Sequence, residues 1–211
     1  MIVSLGSFLL RAQTLPTPGE LQQHLESEIS ISDSLAELFV RFHSNGSIII
    51  RGNCTDASFI QDAVPLGPNA NFSGIEEALA AWSKLVPRLI VHRSSDSIWR
   101  VSDSSASPEL LKTRINNLRA RVIDADDAIG AVLGTKEVNS FFRDNAISQA
   151  STTGLLAPYD PSSLPHSAWH LHDVTVEDAF DAAIKKYPGV WVYTECIVDH
   201  RKLVNVRTRS F

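Results

Sequence analysis

The sequence lacks the features that mark nucleic-acid-binding and membrane-spanning proteins. Its 211 residues carry a formal net charge of -5, and no block of lysine and arginine interrupts this acidic balance. The electrostatic footprint of a nucleic-acid-binding protein is therefore missing. No apolar run reaches the roughly 18 residues that a membrane-spanning helix needs. Because 44% of the residues are hydrophobic, the chain can still bury a core, and its composition is that of a folded protein.

Cysteine is scarce. The chain has only Cys54 and Cys196, 142 positions apart, so the CxxC patterns of zinc, haem and redox sites are excluded. Two interpretations of this pair are open. The cysteines are either two separate, half-buried thiols or one long-range disulfide, which would require an oxidising compartment.

Recognisable catalytic motifs are missing as well. The sequence contains no GxSxG, no P-loop, no GxGxxG and no cysteine–histidine pattern of a nucleophilic site. Acidic pairs occur at Glu76-Glu77 and Glu177-Asp178. Each pair lies in the first turn of a predicted helix, where carboxylates cap free N–H groups and suit the helix dipole. We therefore assign no catalytic residue and no cofactor, and expect a protein that is not an enzyme.

A further acidic cluster consists of Asp124, Asp126 and Asp127. No EF-hand glycine and glutamate follow at the required spacing, so a calcium loop is excluded. We interpret these residues as acids at a helix N-terminus.

A cluster of histidines suggests a different function, metal binding. His166, His170 and His172 lie within seven positions and are followed by Asp173. On a strand, His170 and His172 point to one face and could chelate zinc or copper, with His200 as a conceivable third ligand, whereas Asp173 points away. The competing interpretation is an ordinary polar strand edge, because HxH pairs without a wider ligand pattern are common. We assign no metal ligand, and the alternative function is a metal-binding protein or enzyme centred on the His166/His170/His172 cluster.

The N-terminal stretch bears on the compartment. Residues 2–10 (IVSLGSFLL) form an apolar run, and Leu10 and Ala12 fit the −3 and −1 positions of a secretory cleavage site before Gln13. The positively charged n-region of a signal peptide is missing. The run is therefore either a signal peptide whose start lies upstream or the first strand or helix of the fold. The signal-peptide interpretation predicts a periplasmic or secreted protein.

Two proline-containing stretches divide the chain. Residues 14–20 hold two prolines and one glycine, and a run of small and acidic residues at 102–107 ends at Pro108. Both compositions favour extended connectors. The predicted organisation is a signal peptide and linker at 1–26, a domain at 27–103, a linker at 104–108 and a second domain at 109–211.

A repeated pattern links the two halves. Residues 75–92 (IEEALAAWSKLVPRLIVH) and 176–193 (VEDAFDAAIKKYPGVWVY) align without a gap, with six of 18 positions identical. Both stretches have apolar residues at i, i+3, i+4 and i+7, which is the pattern of one helix face. Thr175 with Asp178 resembles a capping box, and a proline ends each helix. Apolar stretches separated by polar turns follow in both copies and predict a β-hairpin after each helix.

Other stretches extend this pattern. The first half has a predicted strand at 28–32, a helix from Ser34 that stops at Asn45-Gly46, and a strand at 47–51. The second half has a predicted strand at 114–123 and a helix at 124–133, while 136–164 matches no part of the repeat. We therefore predict an α+β protein of two small βαβ-repeat sandwich domains, each with helices packed on a short mixed sheet.

The order of these elements resembles a known module, the secretin and TonB short N-terminal domain. Residues 34–38 (SLAEL) and 46–50 (GSIII) resemble its first part, and 72–79 (FSGIEEAL) with 98–101 (IWRV) resemble its second part. The match covers residues 27–103, and 109–211 resembles a looser second copy. The resemblance implies a non-catalytic, partner-binding module of the bacterial cell envelope, linked to secretion or TonB-type signalling. It implies a protein partner and specifies neither the partner's identity nor the oligomeric state, while charge and apolar-run length predict no nucleic-acid partner and no membrane span.

Overall fold

The computed structural model describes residues 31–55, 58–60, 71–94, 97–149, 166–198 and 201–211. In these ranges the protein is α+β, as the sequence predicts. The helices are α1 (Ile31–Arg41), α2 (Ile75–Leu85), α3 (Ala125–Leu133), α4 (Lys136–Asp144) and α5 (Val176–Lys186), with a 3-10 helix at Glu109–Lys112. The strands are β1 (Gly46–Arg51), β2 (Asn53–Thr55), β3 (Ser58–Ile60), β4 (Leu89–Arg93), β5 (Trp99–Asp103), β6 (Arg114–Val122), β7 (Ile147–Gln149), β8 (Ser167–Thr175), β9 (Gly189–Val198) and β10 (Arg201–Ser210).

The signal peptide and linker predicted at 1–26 lie outside the described residues. Among the helices that are described, none has the length and apolarity needed to cross a membrane.

Six strands form one mixed sheet in the order β4-β5-β1-β9-β10-β7. β1 is parallel to both of its neighbours, β5 and β9. β4 lies at one edge, antiparallel to β5, while β10 is antiparallel to β9 and carries β7 parallel at the other edge. Two separate two-stranded ribbons are formed by β2 with β3 and by β6 with β8.

Helices cover both faces of the sheet, which explains why the central strands are almost continuously apolar. Successive side chains of β1 point to opposite faces. Ile48 and Ile50 belong to the core beneath α1 and α2, whereas Ile49 belongs to the core beneath α5. α3 and α5 lie on this second face, and the β6–β8 ribbon packs against them with its inner side chains.

The sheet joins the two predicted domains. β1 and β5 come from residues 27–103, whereas β9 and β10 come from 109–211, and β1 pairs with β9 over six positions. This pairing corrects the predicted division into two sandwiches, because the segment 104–108 does not separate two sheets. The physical reason is that β1 is apolar on both faces and needs a hydrogen-bonded neighbour on both edges. β5 supplies one neighbour, and only β9 of the second half supplies the other.

The α-β-β repeat is observed, but its two copies are placed differently. α2 and α5 each span eleven residues at the predicted offset, and each leads into a hairpin, β4–β5 or β9–β10. α2 packs on one face of the sheet with Trp82, whereas α5 packs on the opposite face with Phe180. β4 and β9 also run in opposite directions within the sheet. The repeat therefore specifies local structure and not position in the fold.

The helix starts show which capping predictions hold. At α5 the capping box is formed, because Asp178 N donates to Thr175 Oγ1 at 3.1 Å and Thr175 N donates to Asp178 Oδ2 at 3.3 Å. At α2 the acceptor is Glu77, which receives bonds from the backbone N–H and the hydroxyl of Ser73 at 2.8 and 2.6 Å. These contacts lower the pKa of Glu77. Acidic residues in these first turns therefore act as caps.

The first unit departs from the prediction at both ends of its helix. A strand was expected at 28–32, but α1 already begins at Ile31, and the start of that stretch lies outside the described residues. The left-handed conformation expected at Gly46 occurs instead at His43, with φ 45°. Gly46 serves close packing, because a Cβ there would lie 2.0 Å from Cε1 of Phe39. In the second half, the predicted strand at 114–123 and helix at 124–133 are observed as β6 and α3.

The structure contains a disulfide at Cys196, which decides between the two interpretations of the cysteines. The only other cysteine in the chain is Cys54. Gly52 N donates to Glu195 O at 2.9 Å, and this bond brings the backbone of β2 alongside β9. A cross-link at this point closes a loop of about 140 residues, which removes conformational freedom from the unfolded chain.

Gly189 is required by the close approach of β9 and β10. A Cβ at this position would lie 2.3 Å from the backbone carbonyl oxygen of Arg209, and backbone atoms in a paired strand cannot move aside cheaply. We expect Gly189→Ala to lower the free energy of unfolding by about 1–3 kcal/mol, as overpacking does. Urea denaturation followed by circular dichroism measures the loss.

Gly130 provides the matched control. It lies within α3, and an added Cβ would meet nothing within 4 Å. Because alanine is the better helix former, Gly130→Ala should raise the free energy of unfolding by up to about 1 kcal/mol. Equal stability of the two variants would contradict the close approach at Gly189.

The shared sheet also predicts how the halves behave when separated. Residues 1–103 expressed alone lack β9, so one edge of β1 and the side chain of Ile49 lose their partners. We expect the fragments 1–103 and 104–211 each to show the narrow amide dispersion of an unfolded chain in NMR spectra. Mixing the fragments under conditions that allow the disulfide to form should restore dispersion. A well-dispersed spectrum from either fragment alone would contradict the single sheet.

Candidate functional site

β4 is the outermost strand at its end of the sheet, and no strand of the described part of the chain pairs with its outer edge. Hydrogen bonds at the two ends of the β4–β5 hairpin set the pairing. Ser104 N donates to Arg88 O at 2.8 Å, and Ser94 N donates to Ile98 O at 2.9 Å. Even-numbered residues of β4 therefore bond to β5.

The alternation of an antiparallel ladder then decides which groups face outward. The backbone N–H groups of the odd-numbered positions Leu89, Val91 and Arg93 point away from β5. Leu89 N donates to Val86 O at 2.9 Å, so the outward donors of the strand are those of Val91 and Arg93. Ile90, whose backbone bonds inward, presents its side chain on the uncovered face and is 53% exposed. β4 thus combines free main-chain donors with an accessible apolar side chain.

A cavity of about 440 Å³ adjoins this edge on the face that carries α5. It is there because α5 and the 3-10 helix cover β1 and β9 but leave β4 and part of β5 open. Strand residues form its floor, and the 3-10 helix and the first turn of α5 form its wall. The lining side chains include Ile49, His92, Arg100, Leu111, Lys112 and Glu177.

Arg100 organises the interior of the cavity. Its guanidinium forms ion pairs with both Glu177 and Asp181, one through each terminal nitrogen. Asp181 is nearly buried, and its other oxygen accepts a hydrogen bond from Trp191 Nε1 at 2.9 Å. Because Arg100 lies on β5 and both acids lie on α5, this cluster connects the two halves of the chain across the sheet.

The carboxylates of Glu177 and Asp181 lie in a partly buried environment that disfavours their charged forms. Burial raises the pKa of Glu177 and of Asp181, and in each case it outweighs the opposite effect of the Arg100 guanidinium. The bond from Trp191 also acts against the increase at Asp181. Both acids nevertheless remain ion-paired with Arg100.

A second polar cluster holds the wall of the cavity in place. Glu195 on β9 is buried. Its carboxylate accepts a hydrogen bond from Ser107 N at 2.6 Å and forms an ion pair with Lys202 at 2.8 Å. Tyr193 Oη donates to the same carboxylate at 3.0 Å. Burial, together with the negative charge of Glu195, raises the pKa of Tyr193 far above its ordinary value. The segment 104–108, which leads into the 3-10 helix, is thereby fixed to the sheet.

The described histidines of the predicted cluster lie on or beside β8. His170 and His172 lie on β8 and point to one exposed face, as the strand pattern predicts. Asp173 is paired with Arg114 at 2.7 Å, and His200 lies outside the described residues. No group of three histidine, cysteine, aspartate or glutamate side chains that could hold a metal ion exists within the described ranges. Among the residues that the structure describes, the metal-binding alternative therefore has no third ligand.

The acidic pairs and the aspartate cluster have the structural roles expected from the sequence. Asp124 is the N-cap of α3, where it accepts from Asp127 N at 2.8 Å. Glu177 is the exception, because it also reaches Arg100 in the cavity.

Three charged residues that shape the cavity were not predicted from the sequence. Arg100 is the only charged residue in the apolar stretch IWRV, Asp181 interrupts the apolar face of α5, and Glu195 lies in the apolar strand β9. A charge within an otherwise buried pattern requires a partner. A charged residue within an apolar pattern therefore indicates a buried polar contact at each of these three positions.

The chain was compared with known protein families, curated proteins and solved structures, and none of them matches it.

Removal of the Arg100 charge tests whether the two acids depend on it. Arg100→Met keeps the stem of the side chain but leaves Asp181 buried without its cation, so we expect a loss of about 2–4 kcal/mol in the free energy of unfolding. Chemical denaturation at neutral pH gives the value. Arg143→Met is the control, because the Arg143–Asp144 pair is long, at 3.8 Å, and the Arg143 side chain is 75% exposed. It should change stability by less than about 0.5 kcal/mol, and similar losses in both variants would contradict the role given to Arg100.

Proposed function

We propose that the chain is a non-catalytic protein-interaction module that accepts an extended segment of a partner protein along β4. The observation that carries this proposal is the free outer edge of β4 directly beside the Arg100 cavity. A partner strand at this edge would continue the six-stranded sheet to a seventh strand. Its main chain would bond to the outward N–H groups of Val91 and Arg93.

The cavity would provide the selectivity that main-chain bonds cannot. Side chains of an added strand alternate between the two faces of the sheet. Those on the face of Ile90 and His92 would lie next to the cavity mouth. There they would meet apolar surface from Ile90 and polar groups from His92 and Lys112. In strand addition, main-chain hydrogen bonds usually provide the affinity, and pockets for the side chains provide the specificity.

A non-catalytic role agrees with the chemistry of the cavity. Its two acids are engaged by Arg100, and Asp181 also accepts from Trp191. A binding site needs such groups to be held rigidly, whereas general acid–base catalysis needs one of them free to exchange a proton.

We further propose that the module works in the bacterial cell envelope, in secretion or TonB-type signalling, as a periplasmic or secreted protein. The disulfide at Cys196 supports this setting, since disulfides persist in oxidising compartments. The second support is the resemblance of residues 27–103 to the secretin and TonB short N-terminal domain, which acts by binding partners.

Val91→Pro tests strand addition at β4. Proline removes the outward N–H of Val91 and leaves the inward hydrogen bonds of β4 in place, and edge strands tolerate it for that reason. Peptides selected from a displayed library against the native chain should lose at least about tenfold in affinity for this variant, which corresponds to one or two lost hydrogen bonds. Isothermal titration calorimetry measures the change.

Val91→Thr is the matched control, because threonine is similar in shape to valine and keeps the N–H. It should bind the selected peptides with affinity close to that of the native chain. Bound peptide should also slow hydrogen exchange at the amides of Val91 and Arg93. Equal binding by the proline variant, or failure to select any peptide that protects these amides, would contradict strand addition at this edge.

A further inference from the structure

The outer face of the β6–β8 ribbon is not used by the proposed function. Its inner side chains pack on α3 and α5, and among them Leu118, Val122 and Trp169 are buried. Ala120 and Leu171 also pack on this core, and the alternate positions of the two strands point outward. The outer face consists of Asn117, Arg119, Arg121, Ala168, His170 and His172, and all six are exposed.

The register of the ribbon brings these side chains together. Arg119 lies directly opposite His170, Asn117 opposite His172, and Arg121 opposite Ala168. Residues directly opposite each other have Cβ atoms about 5 Å apart. The face is therefore a compact array of two guanidinium and two imidazole groups on a rigid support.

Within the described part of the chain, the positive charge of this face is not neutralised. Neither Arg119 nor Arg121 has a hydrogen-bond or ion-pair partner in the described structure. Two acids that contact the ribbon are already engaged, since Asp173 pairs with Arg114 at 2.7 Å and Glu137 accepts from Asn116 at 3.1 Å. In a chain with a net charge of -5, the two arginines therefore give this face a local positive charge.

We propose that the outer face of β6–β8 binds an extended acidic segment of a partner protein through Arg119 and Arg121. The spacing supports this choice of partner. The two arginines are two residues apart on one strand, about 6.6–6.8 Å along its axis. An extended peptide with an acidic residue at every second position has the same repeat, so successive carboxylates can each pair with one guanidinium. The planar guanidinium is the cation best suited to such bidentate pairing.

Two other anionic partners fit the face less well. An anionic membrane surface would also require apolar side chains for insertion or a larger cluster of cations, and the only apolar side chain on the face is that of Ala168. Nucleic-acid binding relies on many phosphate contacts at once, whereas two arginines can neutralise only a few phosphates. Both partners serve as outcomes of the test.

The experiment uses the full chain and a fluorescently labelled peptide of alternating threonine and glutamate. We expect the native chain to bind this peptide, with affinity that falls as salt rises because the contacts are exposed ion pairs. The same peptide with glutamine in place of glutamate should not bind. Arg119→Gln should weaken binding by about tenfold, since it removes a charge-assisted pair. Fluorescence polarisation gives all these affinities.

Two variants show whether the effect belongs to this face. Arg143→Gln removes the same charge from α4 and should leave binding unchanged. Val91→Pro should also leave it unchanged, because the edge of β4 is a separate surface, so failure of one proposal does not decide the other. Circular dichroism melting curves should confirm that each variant remains folded.

Several results would overturn the proposal. Equal binding of a peptide with the same composition but with its glutamates in one block would remove the argument from spacing. An equal loss in Arg143→Gln would show attraction to overall charge only. Tighter binding to vesicles of phosphatidylserine, or to a DNA duplex, than to the peptide would assign the face to those partners.

Discussion

The structure depends on the position of β1 between β5 and β9. Four consecutive buried side chains, Ser47 to Ile50, make this strand unsuitable for any place exposed to water. It must have a strand on each edge and a helix layer on each face. The first half of the chain supplies one edge, and the second half supplies the other. That requirement joins what would otherwise be two units into one sheet, and it places α1 and α2 on one side and α5 on the opposite side.

Charged residues then connect the layers at the points where apolar packing ends. Arg100 links β5 to α5 through Glu177 and Asp181, and Glu195 holds the segment that leads into the 3-10 helix. Isolated ions at these depths would be unfavourable. Because each of these ions is paired and hydrogen-bonded, the two clusters hold the cavity walls in position. In the described residues, the outer edge of β4 has no pairing strand and the outer face of β6–β8 is exposed, so one offers main-chain bonds and the other offers positive charge. Together, the two proposals assign two different partner segments to this chain.

Several parts of this arrangement were predictable from the residues. The helices at 75–85 and 176–186, the hairpins that follow them, the capping box at Thr175 and the strand and helix at 114–133 follow from local periodicity and capping. The two His side chains of β8 also lie on one exposed face as the alternation predicts. The cavity could not be predicted in this way. Its residues come from β4, β5, the 3-10 helix and α5, which are far apart in the chain, and the only local sign was a charge within an apolar pattern.

The sequence by itself determined the helices and hairpins of the two repeat copies and which of their faces are apolar, because hydrogen bonding within a helix and alternation within a strand are local. Only the tertiary structure decided that the two halves share one sheet, that the two copies of the repeat occupy opposite faces, and that Arg100 meets Asp181. The physical reason is that strand pairing is selected by the total burial and hydrogen bonding of the whole chain. An apolar strand such as β1 accepts any neighbour that completes both of its edges. Which strand does so is a property of the assembled sheet and not of either segment.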